Sequence, residues 1–149
     1  MKLLVFEGIN GSGKTSTITA LKELLAEEGE SRPYPYTYID RLLHSFYVFE
    51  KLYCRIHSRL EYAPFYIALK VIPTVVIFLD IEEEIAYRRI GERGGDAYKQ
   101  SLAILEKERA LYSQAFKYYR GIKVMRVEVD WKTPRQIAEE IHLRISNGY

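Results

Sequence analysis

The sequence has one cysteine, Cys54, among its 149 residues, so no disulfide can form within the chain. It has no run of 18 apolar residues that could cross a membrane, and its first residues do not have a signal-peptide pattern. Secreted and membrane-spanning proteins are therefore not favoured. We expect a protein of the reducing cytoplasm that has no membrane partner.

Neither sign of charge dominates the sequence. There are 22 Lys and Arg residues against 20 Asp and Glu residues, and the formal net charge is +2. So small an excess provides no general attraction to nucleic acids or anionic surfaces. Any basic site must be local, and we expect no nucleic-acid partner.

Asparagine and glutamine are scarce, at five residues together, whereas 48% of the residues are apolar and 28% are charged. The apolar and charged fractions are typical of a globular protein, and the length fits one domain. Few thermolabile amides beside many Glu, Lys and Arg residues indicate a thermophilic source.

Segments of strand type and helix type alternate along the chain. Short apolar runs predict four strands, near residues 2–6, 36–40, 75–79 and 122–129. Helical patterns lie between and after them, at residues 14–28, 42–60, 65–70, 82–93, 98–119 and 134–145. Because parallel strands need long, helical connections, we expect an α/β fold with a four-stranded, mostly parallel sheet and helices on both of its faces.

Aromatic residues recur along the predicted helix 42–60, and Pro64 is expected to interrupt the helical pattern. Phe46, Phe49 and Tyr53 belong to one face of that helix, and Tyr47 lies beside Phe46. Aromatic residues at helical spacing usually pack into the core. The alternative is that these four aromatic residues, or Arg55 or Arg59, form a reduced ligand pocket.

The strongest motif is Gly8-Ile9-Asn10-Gly11-Ser12-Gly13-Lys14-Thr15, which fits the pattern of Gly, four residues, Gly, Lys and then Ser or Thr. It directly follows a predicted strand and opens a predicted helix. In such a loop the backbone N–H groups point at phosphate oxygens, and the helix dipole attracts the same anion. Lys14 should reach the β- and γ-phosphates, and the Thr15 hydroxyl should hold Mg²⁺. The predicted triphosphate site consists of Gly8, Asn10, Gly11, Ser12, Gly13, Lys14, Thr15 and Ser16.

A carboxylate and a guanidinium follow the second predicted strand, as Asp40-Arg41. Ligands gather at the carboxyl ends of the strands in open parallel sheets. Asp40 could hold the metal ion or its water, and Arg41 could pair with a phosphate. The alternative is a capping Asp beside a surface Arg.

Three arginines, Arg88, Arg89 and Arg93, precede the flexible pair Gly94-Gly95. They could close over the triphosphate and neutralise charge on the transferred phosphoryl group. Arg88 and Arg89 are about 100° apart around a helix, so not all three can point into one site. The alternative is a solvated helix face.

Two residues at the ends of predicted strands have more than one possible role. Glu7 ends the first strand, where it could support the metal ion or accept hydrogen bonds from backbone N–H groups. Trp131 follows the last strand. We expect Trp131 to pack in the interior, and contact with a nucleotide base is the alternative.

The segment from Phe6 to Thr15 resembles the opening of the thymidylate kinase family, which usually has Asp where this chain has Asn10. The run Asp40-Arg41-Leu42-Leu43-His44-Ser45 is similar to the family's Asp-Arg-Tyr motif with a serine three residues on, and Leu replaces the Tyr. The stretch from Arg88 to Tyr98 resembles the family's lid. The likeness covers most of the chain, so we expect residues 1–149 to form one P-loop kinase-like domain with the P-loop NTP hydrolase fold. The resemblance implies a sheet with its strands in the order 2-1-3-4.

The resemblance implies that the chain binds Mg²⁺-ATP and transfers the γ-phosphoryl group to dTMP or a related nucleoside monophosphate. The lid, at about residues 88–98, would supply catalytic arginines, because Ser12 leaves no arginine inside the loop. Thr15 and Asp40 are the implied Mg²⁺ ligands, and Arg89 joins the nucleotide-binding residues. The implied catalytic residues are Lys14, Arg93, Asp40 and Arg41.

One part of the family pattern is missing. Between Gly29 and Tyr38, family members have a strand with Arg-Glu-Pro-Gly-Gly, followed by helices that hold the acceptor's phosphate. Arg32-Pro33 is the only trace of that motif here. The donor half of the site is thus present, whereas the acceptor half is reduced.

Two other functions remain open on the sequence. The chain could be a nucleotide-binding regulatory protein without transfer activity, or a P-loop kinase or triphosphatase that acts on another small substrate. The loss of a neighbouring helix would also expose apolar surface on helix 42–60, so dimerisation through that helix is a further hypothesis.

Overall fold

Strands and helices alternate along the chain in the computed structural model, which describes residues 2–29, 36–53, 59–94 and 101–149 and the side chains of all of these except 59–61. The strands are β1 (Lys2–Glu7), β2 (Tyr36–Asp40), β3 (Thr74–Asp80) and β4 (Val124–Glu128). The helices are α1 (Lys14–Glu27), α2 (Leu43–Tyr53), α3 (Arg59–Val71), α4 (Glu83–Arg93), α5 (Leu102–Tyr118) and α6 (Pro134–Ser146). The sequence features at Arg32-Pro33, at Cys54 and Arg55, and at residues 95–98 of the expected lid lie outside the described residues.

The described strands form one parallel sheet in the order β2-β1-β3-β4, which confirms the predicted topology. Phe6 of β1 pairs with Asp40 of β2, and Glu7 of β1 pairs with Phe78 of β3. The carboxyl ends of these three strands therefore lie side by side. This register brings the loop after β1 and the Asp40-Arg41 turn after β2 to the same edge of the sheet.

Helices cover both faces of the sheet. Leu4 and Phe6 belong to the larger buried cluster, which includes apolar residues of α1 and α6, whereas Val5 belongs to a second cluster with Leu43 and Tyr119. Successive strand residues point to opposite faces, so the two clusters lie on opposite sides of β1. No helix in the described part of the chain is long and apolar enough to cross a membrane.

The helix ends follow the sequence signals closely. Gly29 takes a left-handed conformation (φ 73°) just after α1. At the start of α6, Thr133 and Gln136 form a capping box, and Pro134 is the first residue of the helix. Glu83 and Glu84 lie in the first turn of α4, where acidic side chains suit the positive end of the helix dipole.

The predicted helix 42–60 is wrong in its buried face, and within the described residues its first part is α2 (Leu43–Tyr53). Pro64 does not interrupt the helical pattern but lies inside α3, in the second turn, where it removes one backbone N–H donor. The buried face of α2 consists of Leu43, His44, Ser45 and Val48. Tyr53, predicted to pack in the core, is 49% exposed. The pattern failed because His44 and Ser45 are polar residues that are buried against Glu7, and apolar periodicity does not detect such a face.

Candidate phosphate-binding site

One cavity of about 210 Å³ lies at the carboxyl edge of the sheet. Its walls come from the loop after β1, the first turn of α1, the end of β2 and the last residue of α4. The lining residues are Asn10, Gly11, Gly13, Lys14, Thr15, Ser16, Asp40, Arg41 and Arg93. The fold thus brings most of the residues that the sequence predicts for a phosphate site into one place.

Two glycines set the shape of the loop. Gly13 is left-handed (φ 86°) and stands directly before α1, whose first turn has no side-chain cap. The N–H groups of that turn therefore remain for an anion. At Gly11 (φ 82°), an added Cβ would lie 2.7 Å from the carbonyl oxygen of Ala86, so glycine allows the loop to pack directly on α4. This contact places the arginine at the end of α4 beside the loop.

Lys14 is folded back onto its own loop. Its Nζ donates to the carbonyl oxygens of Gly8 at 2.8 Å and Ile9 at 3.0 Å, and it lies 3.4 Å from the Ser12 hydroxyl. Burial, together with the charge of Arg41, lowers the pKa of Lys14 to about 8. An anion in the cavity would restore the charged form.

Thr15 and Asp40 present oxygen ligands to the same end of the cavity. The Thr15 hydroxyl donates to Asp40 Oδ2 at 3.1 Å, and both residues are exposed. Hydroxyl and carboxylate oxygens suit Mg²⁺, which typically retains waters and uses one or two carboxylates plus substrate phosphates. No cluster of three or more His, Cys, Asp or Glu side chains with metal-site geometry occurs in the described ranges. The Thr15 and Asp40 oxygens fit a Mg²⁺ ion that also takes water and phosphate ligands.

Arg41 is held from several directions. Its backbone is left-handed (φ 69°), which is uncommon for a non-glycine residue, and its N–H donates to the Phe6 carbonyl at 2.9 Å. Its Nη2 donates to Asn10 Oδ1, and its guanidinium carbon lies 4.9 Å from the centre of the Phe49 ring. Its Nη1 lies 3.6 Å from Glu108 Oε1. The Asp40-Arg41 pair is thus more than a cap and a surface arginine, because Arg41 is partly buried and lines the cavity.

A buried polar network lies beneath the loop. Glu7 accepts a hydrogen bond from the Leu42 N–H at 2.9 Å and a short one from the Ser45 hydroxyl. The Tyr112 hydroxyl donates to the Gly8 carbonyl at 3.1 Å. Of the two roles open for Glu7, support of the metal or acceptance of backbone N–H bonds, these contacts favour the second.

The three arginines of α4 point in different directions, as their helical spacing requires. Arg93 lines the phosphate cavity. Arg89 does not: its Nη2 donates to the carbonyl oxygens of Val129 at 3.3 Å and Asp130 at 2.9 Å. Arg88 lies over the Trp131 ring, 5.8 Å from its centre. Only Arg93 is therefore in contact with the phosphate cavity before any rearrangement.

A second cavity, of about 360 Å³, lies between α4 and the loop after β4. Trp131 lines it and is 79% exposed, so the expectation that this residue packs in the interior is wrong. The lining residues are Ile85, Arg88, Arg89, Glu92, Asp130, Trp131, Lys132 and Thr133.

Three buried polar residues of the site are not predicted by the sequence reasoning: Ser45, Glu108 and Tyr112. Ser45 enters only as part of a motif, and Tyr112 only as an apolar helix position. Glu108 lies three residues after Leu105 and four before Tyr112, which places a charged side chain on the apolar face of α5. That break in the pattern is the signal that could have revealed it.

No protein-family model matches the chain, and no curated protein matches it. Solved structures do match. The YorR protein from Bacillus subtilis, in complex with phosphorylated GDP, has a TM-score of 0.74 at 15% identity, over 97% of this chain and 95% of that one. Deoxyadenosine kinase from M. mycoides with bound dCTP has a TM-score of 0.66 at 19% identity, over 99% and 100%. Thymidylate kinase from Candida albicans has a TM-score of 0.65 at 14% identity, over 97% and 91%.

At these identities the comparison shows the fold. The structures it matches include a deoxyadenosine kinase and a thymidylate kinase, and the chain shares their P-loop fold.

Proposed function

We propose that the chain is a nucleotide kinase that transfers the γ-phosphoryl group of Mg²⁺-ATP to dTMP or a related nucleoside monophosphate. One observation carries this proposal. A single cavity combines a phosphate loop with its lysine, a hydroxyl and carboxylate pair suited to Mg²⁺, and two arginines. These are the parts that phosphoryl transfer requires, because catalysis there depends on positioning and on charge neutralisation.

The donor phosphates would lie along the loop and the first turn of α1. The N–H groups of Gly11 and of Gly13 to Ser16 would donate to phosphate oxygens, and Lys14 would leave its carbonyl partners to reach the β- and γ-phosphates. Thr15 and Asp40 would hold Mg²⁺. The bound ion would neutralise part of the phosphate charge.

Arg93 and Arg41 would act on the transferred group. Arg93 approaches the cavity from α4, and Arg41 approaches it from the turn after β2. Guanidiniums that face the bridging and terminal oxygens stabilise the charge that develops during transfer. Arg41, which lies between the loop and Phe49, could also bind the acceptor's phosphate.

The donor base would occupy the second cavity. Trp131 and Arg88 offer a flat ring and a guanidinium plane on which a purine can stack. Arg89 would then belong to the nucleotide site as the sequence predicts, on the base side of it. Support comes from its two hydrogen bonds to the loop after β4.

The identity of the acceptor separates this proposal from its alternatives. A nucleoside acceptor is the second candidate, because deoxyadenosine kinase is among the structures that share the fold at a TM-score of 0.66. A regulatory protein would bind nucleotide without turnover, and a triphosphatase would hydrolyse ATP without an acceptor.

One assay distinguishes these functions. ADP release from Mg²⁺-ATP is measured without acceptor, with dTMP and other deoxynucleoside monophosphates, and with deoxyadenosine. The variant Lys14→Met is the control for contaminating activity. The proposal expects ADP release that depends on a monophosphate. Release that requires a nucleoside, or that ignores acceptors, would assign the function to one of the alternatives.

We also propose that the chain forms a homodimer, through α3 and not through the predicted helix 42–60. Ile67 and Val71 are four residues apart on the same face of α3, and they are 61% and 76% exposed. A contiguous exposed apolar face is typical of a protein interface.

A further inference from the structure

Glu108 of α5 is the least expected charged residue of the site. Its side chain is completely buried, and by strict geometry neither carboxylate oxygen has a hydrogen-bond partner among the described residues. The donors that favour its charged form are the Asn10 backbone N–H and the Arg41 guanidinium. A buried carboxylate without strong hydrogen bonds is costly, and it persists only where another interaction compensates. The function proposed above assigns Glu108 no role.

The compensating interaction comes from Arg41. Its Nη1 lies 3.6 Å from Glu108 Oε1 and has no hydrogen-bond partner of strict geometry in the part of the chain that the structure describes. Burial raises the pKa of Glu108, and the charges of Arg41 and Lys14 oppose that rise. The 3.6 Å separation makes Glu108 the ion-pair partner of Arg41 on the interior side of the phosphate cavity.

Three side chains contact the Arg41 guanidinium, and together they are called the Arg41 clamp. Asn10 of the phosphate loop binds Nη2, Phe49 of α2 lies against the guanidinium plane, and Glu108 of α5 approaches Nη1 from the interior. Three separate elements thus meet at one side chain. Its left-handed backbone fixes the direction from which that side chain enters.

We propose that Glu108 is a positioning residue, which holds the Arg41 guanidinium in the phosphate cavity before nucleotide binds. The inference rests on the proposed function, because a fixed arginine is an advantage only if the cavity carries out phosphoryl transfer. A guanidinium that is already oriented needs no reorganisation in the transition state. Glu108 touches neither donor nor acceptor and acts through Arg41.

A double-mutant cycle on turnover tests the proposal. Glu108→Gln keeps the shape and removes the charge, Arg41→Met removes its target, and Glu106→Gln is the matched control on the exposed face of α5. We expect Glu108→Gln to lower kcat on the order of tenfold, with little change in the KM for ATP, as for coupled residues of one network. In the Arg41→Met background the same change should have almost no further effect. Equal effects in both backgrounds would overturn the proposal.

A second measurement does not require activity. In ¹⁵N NMR spectra of the ligand-free protein, rotation of the Arg41 guanidinium should be slow in the wild type and in Glu106→Gln, and fast in Glu108→Gln. Thermal unfolding should show that Arg41→Met lowers the Tm and that adding Glu108→Gln restores part of it, because the unpaired buried charge is removed. Unchanged guanidinium rotation in Glu108→Gln would contradict the proposed role.

These readouts separate two failures. If no acceptor supports ADP release but the NMR difference is observed, the proposed function is wrong and the clamp is real. If phosphoryl transfer occurs and Glu108→Gln behaves like Glu106→Gln in every assay, the function stands and the positioning role is wrong.

Discussion

At the scale of single residues, the cavity holds its positive charge at some cost to the folded protein. Lys14 is buried, and its ammonium group makes its hydrogen bonds with loop carbonyls instead of an anion. A pKa of about 8, well below the ordinary lysine value, follows from that burial. Binding of a polyphosphate should reverse the shift.

This reversal predicts opposite pH effects on stability and on affinity. Between pH 8 and about 10.4, the unfolded chain binds a proton at Lys14 that the folded, ligand-free chain does not, so this residue makes the free energy of unfolding rise with pH. Nucleotide favours the protonated lysine, so affinity should fall on the order of tenfold between about pH 7.5 and 9. Calorimetric titration at both pH values measures this, and Lys14→Met should lose the dependence. An equally steep decline in Lys14→Met would mean that another group is responsible.

Arg93 provides the second prediction at this scale. It is exposed at the end of α4 and lines the phosphate cavity, so it contributes little to packing. We expect Arg93→Ala to lower kcat about a hundredfold while nucleotide affinity is nearly unchanged, as for contacts made mainly in the transition state. Steady-state kinetics and titration separate the two quantities, with Arg120→Ala as the control. A parallel loss of affinity and kcat would make Arg93 an ordinary binding residue.

At the scale of elements, the contact between the loop and α4 places Arg93 at the phosphate cavity. Gly11 permits that contact, because any side chain there would meet the Ala86 carbonyl. Gly91 lies inside α4, and a Cβ added there would meet no neighbouring group within 4 Å, which makes it a matched control.

We therefore expect opposite results from two Gly→Ala changes. Gly11→Ala should lower stability and reduce turnover, because the loop must move away from α4 and its φ of 82° is strained for alanine. Gly91→Ala should stabilise the protein by about 0.5–1 kcal/mol, from helix propensity alone. Urea unfolding and the ADP-release assay test both variants. Wild-type turnover in Gly11→Ala would show that the contact is dispensable.

The loop after β4 allows a direct optical test of the donor-base site. Trp131 is the only tryptophan of the chain, so its fluorescence reports on that loop alone. ATP should change the fluorescence, whereas inorganic triphosphate, which lacks a base, should not. Trp131→Ala should weaken ATP binding by about 1–3 kcal/mol, the usual contribution of base stacking. An identical fluorescence response to triphosphate would place the base elsewhere.

At the scale of the whole molecule, the proposed dimer makes α3 an interface. Val71 is the most exposed of its apolar residues, and Ile67 is next. The double variant Ile67→Asp/Val71→Asp should be a monomer, since buried unpaired carboxylates oppose association. Light scattering after size-exclusion chromatography should give twice the chain mass for the wild type. A monomeric wild type would rule out the dimer.

The sequence determined the architecture well because its signals are local and its topology rules are strict. The phosphate motif lies between a strand and a helix, and parallel strands bring Asp40 to the same edge as Gly8, so the cavity was predictable. The direction in which Arg89 points and the contacts around Arg41 could not be predicted. They depend on helix phase and on Glu108, a residue distant in sequence whose charge breaks the apolar pattern of α5.

The central claim is that the loop from Gly8 to Thr15 binds the polyphosphate of a nucleotide. Calorimetric titration of Mg²⁺-ATP into the wild type and into Lys14→Met tests it most directly. The account predicts saturable binding at one site per chain in the wild type and a large loss of affinity in the variant, with thermal unfolding showing that both are folded. Absence of binding in the wild type, or equal binding in both proteins, would contradict it.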